Sequence, residues 1–209
     1  MTVLACGTGK FGTAVVEALH SYGREITRVP ADAVVAAVSG KPAAVVLAAF
    51  RPSRTLCDAI DGAAAAHAVP WLPVVLENTY LRVGPWVEPG AGPCFRCYYR
   101  RRLLHDDQQA ATNEVHAIYD AEPDLGPQGH LPQHVRLAAA LAARTIRAAG
   151  GDRTGQVYAI KLSTAQITRH HVVPMNRCDR CAPAAPDGSG RLADLIASGV
   201  RKERVDVRA

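Results

Sequence analysis

Six cysteines are spread over the 209 residues, and four of them form two Cys-x-x-Cys hooks. The first is Cys94-Phe95-Arg96-Cys97 and the second is Cys178-Asp179-Arg180-Cys181. Each hook sets two sulfurs about 4 Å apart on a tight turn, so two hooks together can complete a tetrahedral zinc shell. A shell of four cysteines leaves no open coordination position, so such a zinc is structural. The alternative is two unrelated pairs of free or redox thiols. The flanking sequence favours the metal. Gly90, Gly92 and Pro93 precede the first hook and Pro174 and Pro183 flank the second, which reads as loop on both sides. A redox Cys-x-x-Cys would open a helix after a strand. His170 and His171 lie near the second hook, but four cysteines already fill the shell.

A second candidate for chemistry opens the chain. The apolar run Thr2 to Cys6 leads into Gly7-Thr8-Gly9-Lys10-Phe11-Gly12, and Val15, Val16 and Leu19 then follow at helical spacing. Strand, Gly-x-Gly-x-x-Gly and helix form the dinucleotide-binding fingerprint. Gly7 permits the tight turn, Gly9 lets a phosphate reach the backbone, and Gly12 lets helix and strand pack. The next strand, Glu25 to Val29, should end in an acid for the ribose. Val29 and Pro30 stand there instead, and Asp32 suits the cap of a short helix over 33–38. The glycine loop is thus read as a weak or vestigial nucleotide site, and bound ATP or NAD is not expected.

The elements that must position these groups follow in order. Ala43 to Phe50 is almost wholly apolar, which fits a strand buried on both faces of a parallel sheet. Residues 55–68 read as a helix, with Cys57 as a small buried residue, and Trp71 to Leu76 as the next strand. Residues 80–84 and 86–88 read as a hairpin leading to the first hook. A helix over 98–104 carries Arg100, Arg101 and Arg102, either as a solvated face or as a patch for an acidic partner. Residues 106–132 are polar and read as a mobile loop or crossover, with His105, His116 and His130 at the surface. Pro132 to Gly150 is a strong helix, and two strands over 156–164 and 165–173 lead to the second hook. The expected fold is α/β and Rossmann-like. A mostly parallel sheet has helices on both faces, with late antiparallel strands and a zinc-bound tetracysteine region. Residues 1–182 form that domain; 183–209 are a linker and a short C-terminal helix with a charged tail.

Composition excludes some classes. A net charge of +5 is modest, and 5% aromatics is low for a nucleic-acid face. No apolar run reaches membrane-spanning length, and no basic-then-apolar signal opens the chain. Paired cysteines outside a disulfide framework suit a reducing compartment, so a cytoplasmic protein is expected.

The glycine loop, the stretch Gly84-Pro85-Trp86-Val87-Glu88-Pro89-Gly90-Ala91-Gly92-Pro93-Cys94-Phe95-Arg96-Cys97 and the closing His171 to Cys181 together resemble the ThiF-like superfamily. That superfamily includes the ubiquitin-activating enzymes. Within it the chain is most similar to the ThiF-like partner of azoline-forming cyclodehydratases. The resemblance runs over about residues 2 to 182. It implies a non-catalytic partner in making a modified ribosomal peptide. Such a partner supports a YcaO-type enzyme, helps place the precursor peptide, and forms a homo-oligomer. Adenylating members carry an acid after the second strand, an arginine finger and a metal-binding aspartate. Only Asp58 or Asp61 offers a match, so ATP-dependent activation of a carboxylate is the alternative. A small NAD(P)-dependent oxidoreductase is a further one, carried by Gly7, Gly9 and Gly12 alone. Cyclodehydratase partners usually begin with a winged-helix clamp for the leader peptide. Here the first strand starts almost at Met1, so no clamp is expected, and leader binding is expected from a separate chain if it occurs at all.

Overall fold

The structure is a computed structural model, and it describes residues 2–23, 25–148 and 153–181. Seven strands form one sheet in the order β2-β1-β3-β4-β5-β6-β7. They are β1 (Val3–Thr8), β2 (Ile26–Arg28), β3 (Ala44–Ala49), β4 (Trp71–Leu76), β5 (Tyr80–Val83), β6 (Gln156–Lys161) and β7 (Ile167–His171). β2, β1, β3 and β4 pair in parallel. From β4 to β7 every pairing is antiparallel.

Helices cover both faces. α1 (Gly9–His20) and α6 (Pro132–Arg147) lie on one side. The short α2 (Val34–Ala37), α3 (Arg54–His67) and α4 (Phe95–Leu104) lie on the other, and α5 (Gln109–Ala121) follows α4. β3 shows why the sheet needs two cores. Ala44, Val46 and Ala48 pack with Phe11, Val15 and Leu19 of α1 and with α6. Val45 and Leu47 point the other way, to Val34, Cys57, Ile60 and Trp71. Alternate side chains of a strand face opposite sides, so a strand covered on both faces must be apolar throughout.

Four expectations need correction. Residues 80–84 and 86–88 do not form a hairpin. β5 pairs with β4 and β6, while Val87 makes a lone bridge to Trp71 and the Trp86 amide donates to Gln156 O. Gly84, at φ +112, lies so close to β6 that a Cβ would sit 2.3 Å from Gln156 O. The polar stretch after α4 is not all loop, since α5 occupies Gln109–Ala121. His116 within it is buried, not at the surface. The predicted cap by Asp32 is absent: the turn at Ala33 has no side-chain cap bond. The predicted linker and C-terminal helix over 183–209 lie outside the described residues, as does the predicted helix end at Gly150.

Candidate metal centre

α4 supplies the first hook. Cys94 is its extended N-cap residue and Cys97 sits in its first turn. The hook therefore does open a helix, contrary to the loop reading. What separates it from a redox pair is the second hook, delivered by the chain leaving β7. Arg101 of α4 donates to the carbonyls of Val173 and Pro174 and so holds that chain against the helix. Cys178 and Cys181 then meet Cys94 and Cys97, with all four sulfurs within 4.8 Å of one another. Cys94 lies 3.9 Å from Cys97 and 3.6 Å from Cys178, and Cys97 lies 3.3 Å from Cys181. A tetrahedral shell with metal–sulfur bonds of about 2.3 Å has sulfur–sulfur edges of about 3.8 Å. The donor set thus fits a closed tetrahedral ion. The Met175 amide donates to Cys97 Sγ at 3.3 Å, a bond that orients a thiolate. His170 turns to Thr168 Oγ1 at 2.9 Å, and the four-cysteine group contains no histidine.

Protonation follows the local fields. Burial raises the Cys94 thiol, and it pushes Cys181 up to about 11. At Cys178 burial acts in the same sense, but amide donation from Cys181 and Arg180, together with the thiols of Cys97 and Cys94, outweighs it and brings the thiol down to about 7. Four sulfurs this close cannot all ionise by themselves, and a divalent cation held between them would draw off the remaining protons.

Beneath the sulfurs lies a network that spacing rules did not find. Both hooks read Cys-x-Arg-Cys. Arg96 grips Asp58 through Nε at 2.7 Å and Nη2 at 3.0 Å, and reaches Asp179 at 2.8 Å. Arg180 donates to Asp58 Oδ1 at 3.0 Å and to Asp61 Oδ2 at 2.8 Å. Asp61 is buried, and its Oδ1 accepts from Trp71 Nε1 at 3.0 Å and from the Phe95 amide at 3.1 Å. One acid of α3 therefore ties β4, α4 and the second hook together. The Arg96 hydrogen bonds hold the Asp58 carboxyl below its ordinary range against the opposing pull of burial. The two acids that matched an adenylating site in sequence are thus engaged by the hooks' arginines.

The glycine loop has a different setting. The strand order reverses between β1 and β3, and ligands of such sheets bind in the crevice at that point. Gly7 and Gly12 pack directly: a Cβ on Gly12 would lie 2.2 Å from Ala48 O, and one on Gly7 2.6 Å from Gly12 C. Gly9, at φ +62, faces the Phe50 ring, which would meet a Cβ at 2.4 Å, and Gln128 Oε1 at 3.0 Å. Buried Arg51 bonds the carbonyls of Tyr119, Glu122 and Pro123 at 2.6, 3.0 and 3.0 Å. It thereby ties the end of α5 and the segment after it to the end of β3, with Gly126 beside Phe50.

The arginine cluster divides. Arg101 holds the second hook's approach, and Arg102 joins Arg82 on Glu77. Only Arg100 of the three remains outside these bonds, and with Arg54 it lines a cavity of about 480 Å³.

No family profile and no curated protein matches the sequence. Solved structures do match in fold. The heterocyclase TruD superposes with a TM-score of 0.63 at 17% identity over 86% of this chain and 27% of its own. The microcin C7 biosynthetic enzyme MccB, solved with N-formylated MccA, gives 0.60 at 13% over 86% of this chain and 67% of its own. The E. coli microcin synthetase McbBCD complex gives 0.61 at 12% over 85% and 67%. The chain thus spans about a quarter of the TruD chain. At these identities the likeness is one of fold, and it is to proteins of peptide-modification systems.

Proposed function

We propose that the chain is a non-catalytic, ThiF-like partner protein in the making of a modified ribosomal peptide. It supports a YcaO-type cyclodehydratase and helps place the precursor. Cys94, Cys97, Cys178 and Cys181 hold one structural zinc, and the glycine loop serves the fold and not a nucleotide. The observation that carries the reading is Phe50 against Gly9, at the point where a phosphate would have to approach the backbone. The engagement of Asp58 and Asp61 by Arg96 and Arg180 supports it, since neither acid is left to hold magnesium. The fold shared with TruD and with the McbBCD complex supports the setting.

Two measurements test this. Metal analysis of the purified protein should find one zinc per chain, lost in Cys97→Ser. Isothermal titration with ATP and magnesium should show no binding, while co-expression with a YcaO-type enzyme from the same gene neighbourhood should yield a complex. Tight ATP binding with pyrophosphate exchange would instead establish the adenylating alternative.

A further inference from the structure

The sheet ends unevenly. Its β2 edge is three residues long, with Arg28 paired to Glu17 at 2.9 Å. Its other edge, β7, is five residues long and pairs on one side only; among the described residues no strand lies beyond it. The register decides which of its backbone groups are free. The Lys161 amide donates to Gln166 O, and the Val172 amide donates to Gly155 O. Thr168 and His170 stand opposite Ala159 and Val157 in the same series of bonded pairs. The amides and carbonyls of Ile167, Arg169 and His171 therefore point outward. The free edge ends at Val173, whose carbonyl is taken by Arg101.

Side chains give this edge a chemistry. Ile167, Arg169, His171 and Val173 fall on one face by alternation, and all four are exposed. That face reads apolar, basic, basic, apolar. The stretch from Lys161 to Arg177 contains Lys161, Arg169, His170, His171 and Arg177 and no acid at all. A second copy of β7 is a poor occupant. Pairing centred on Arg169 would set that arginine against itself, and like charges directly opposite are unfavourable.

We propose that the outer edge of β7 is a docking edge for an extended, acidic segment of a partner polypeptide, which adds to the sheet as an eighth strand. Main-chain bonds to residues 167, 169 and 171 hold the segment. Carboxylates opposite Arg169 and His171 select it, and apolar side chains at its ends meet Ile167 and Val173. The edge does not depend on the metal's identity or on a nucleotide, so it can stand or fall apart from the proposed function.

The test uses the full chain, 15N-labelled, and three synthetic peptides. The first is Val-Thr-Glu-Thr-Glu-Thr-Val, the second replaces both Glu by Lys, and the third replaces the central Thr by Pro. In the free protein the amides of Ile167, Arg169 and His171 should exchange fast and those of Thr168 and His170 slowly. The acidic peptide should slow the three fast amides by about tenfold or more and leave the other two unchanged. The Lys peptide should bind about tenfold or more weakly, and the Pro peptide should lose binding. Arg169→Pro removes one outward amide without touching β6 pairing, and should abolish binding while the slow amides stay slow. The double variant Arg169→Glu, His171→Glu should reverse the preference to the Lys peptide. Equal binding of all three peptides, or protection elsewhere on the chain, would overturn the proposal. So would no protection by any peptide, which would leave the basic edge as a device against aggregation only.

Discussion

Asp61 offers the sharpest test of how the hooks are held. Asp61→Ala removes the acceptor for three donors at once: Trp71 Nε1, the Phe95 amide and Arg180 Nη1. Two of these donors are on buried residues, and each buried donor left without a partner costs about 1–3 kcal/mol. Arg180 keeps Asp58, so its share stays below the 3–5 kcal/mol of a fully broken buried pair. The sum is about 4 kcal/mol, a large part of the roughly 5–15 kcal/mol that a domain has in all. With a urea slope near 3 kcal/mol/M, the unfolding midpoint should fall by about 1.3 M. Asp61→Asn keeps Oδ1, which serves Trp71 and Phe95, and loses only the ionic contact at Oδ2. It should cost about 2 kcal/mol. Trp71→Phe removes one of the same bonds, so its cost should not add to that of Asp61→Ala. Urea unfolding followed by tryptophan fluorescence reads the first two variants, and far-ultraviolet circular dichroism reads all three. Asp61→Ala costing under about 1 kcal/mol, or Asp61→Asn costing as much as Asp61→Ala, would refute the network as the link between α3 and the hooks.

Three further outcomes follow from particular contacts. Gly12→Ala should cost about 3 kcal/mol or more, because its Cβ meets the backbone oxygen of Ala48 and not a movable side chain. Gly40→Ala, with nothing within 4 Å, is the control and should change stability by about 0.5 kcal/mol at most; thermal melts compare them. Burial, with Arg102 in the same sense, lowers the His116 imidazole, against Glu77 and Asp120, and Tyr99 Oη lies 3.0 Å from its Nδ1. The unfolded chain therefore binds the extra proton first, so stability should fall as pH drops from about 7 through the unfolded value near 6.5. His116→Gln should remove that part of the slope, and the difference between the two proteins isolates it from any pH effect on the metal. Glu77 accepts from Arg82 at 2.7 Å and Arg102 at 2.5 Å in a mostly buried position. Glu77→Gln should lower stability by about 2 kcal/mol in urea titrations.

How much of this was legible depended on how local the cause was. The strand β3 and the helices α1 and α6 were readable because their apolar spacing repeats within a few residues. The hooks were readable because metal ligands need fixed short separations within each pair. α5 was not readable: it buries His116 alone, so it lacks a strong apolar stripe and is held by Tyr99 and Arg51 instead. The Asp58 and Asp61 network escaped for the same reason in another form. Its partners Arg96 and Arg180 lie far along the chain, 38 residues from Asp58 and 119 from Asp61 respectively. No spacing rule links an acid on α3 to arginines inside distant hooks. The repeated Cys-x-Arg-Cys was the one visible signal, since a cation beside each cysteine pair calls for a carboxylate somewhere. The arginine run misled differently. Three adjacent arginines on a helix point in three directions, so Arg101 and Arg102 found separate structural partners.

The two ends of the sheet have been given opposite treatments, and this bears on what the fold is for. At the parallel end Phe50, Gln128 and the Arg51-held segment crowd the glycine loop. At the antiparallel end, Arg101 and the cysteine cluster fix the chain as it leaves β7. A two-sided anchor there has a physical consequence. β7 packs little of its own surface, being exposed along most of its length. A strand with so little burial would fray unless both its ends were held. β6 holds one side, and the hooks hold the chain that follows. A closed tetrathiolate ion suits that task, because it contributes rigidity without offering a coordination position for chemistry. Chelation should then release β7 before the parallel strands: the amides of Thr168 and His170 should lose protection while those of β1 and β3 keep theirs. Simultaneous loss across the sheet would place the metal's role in the whole fold and not in its open edge.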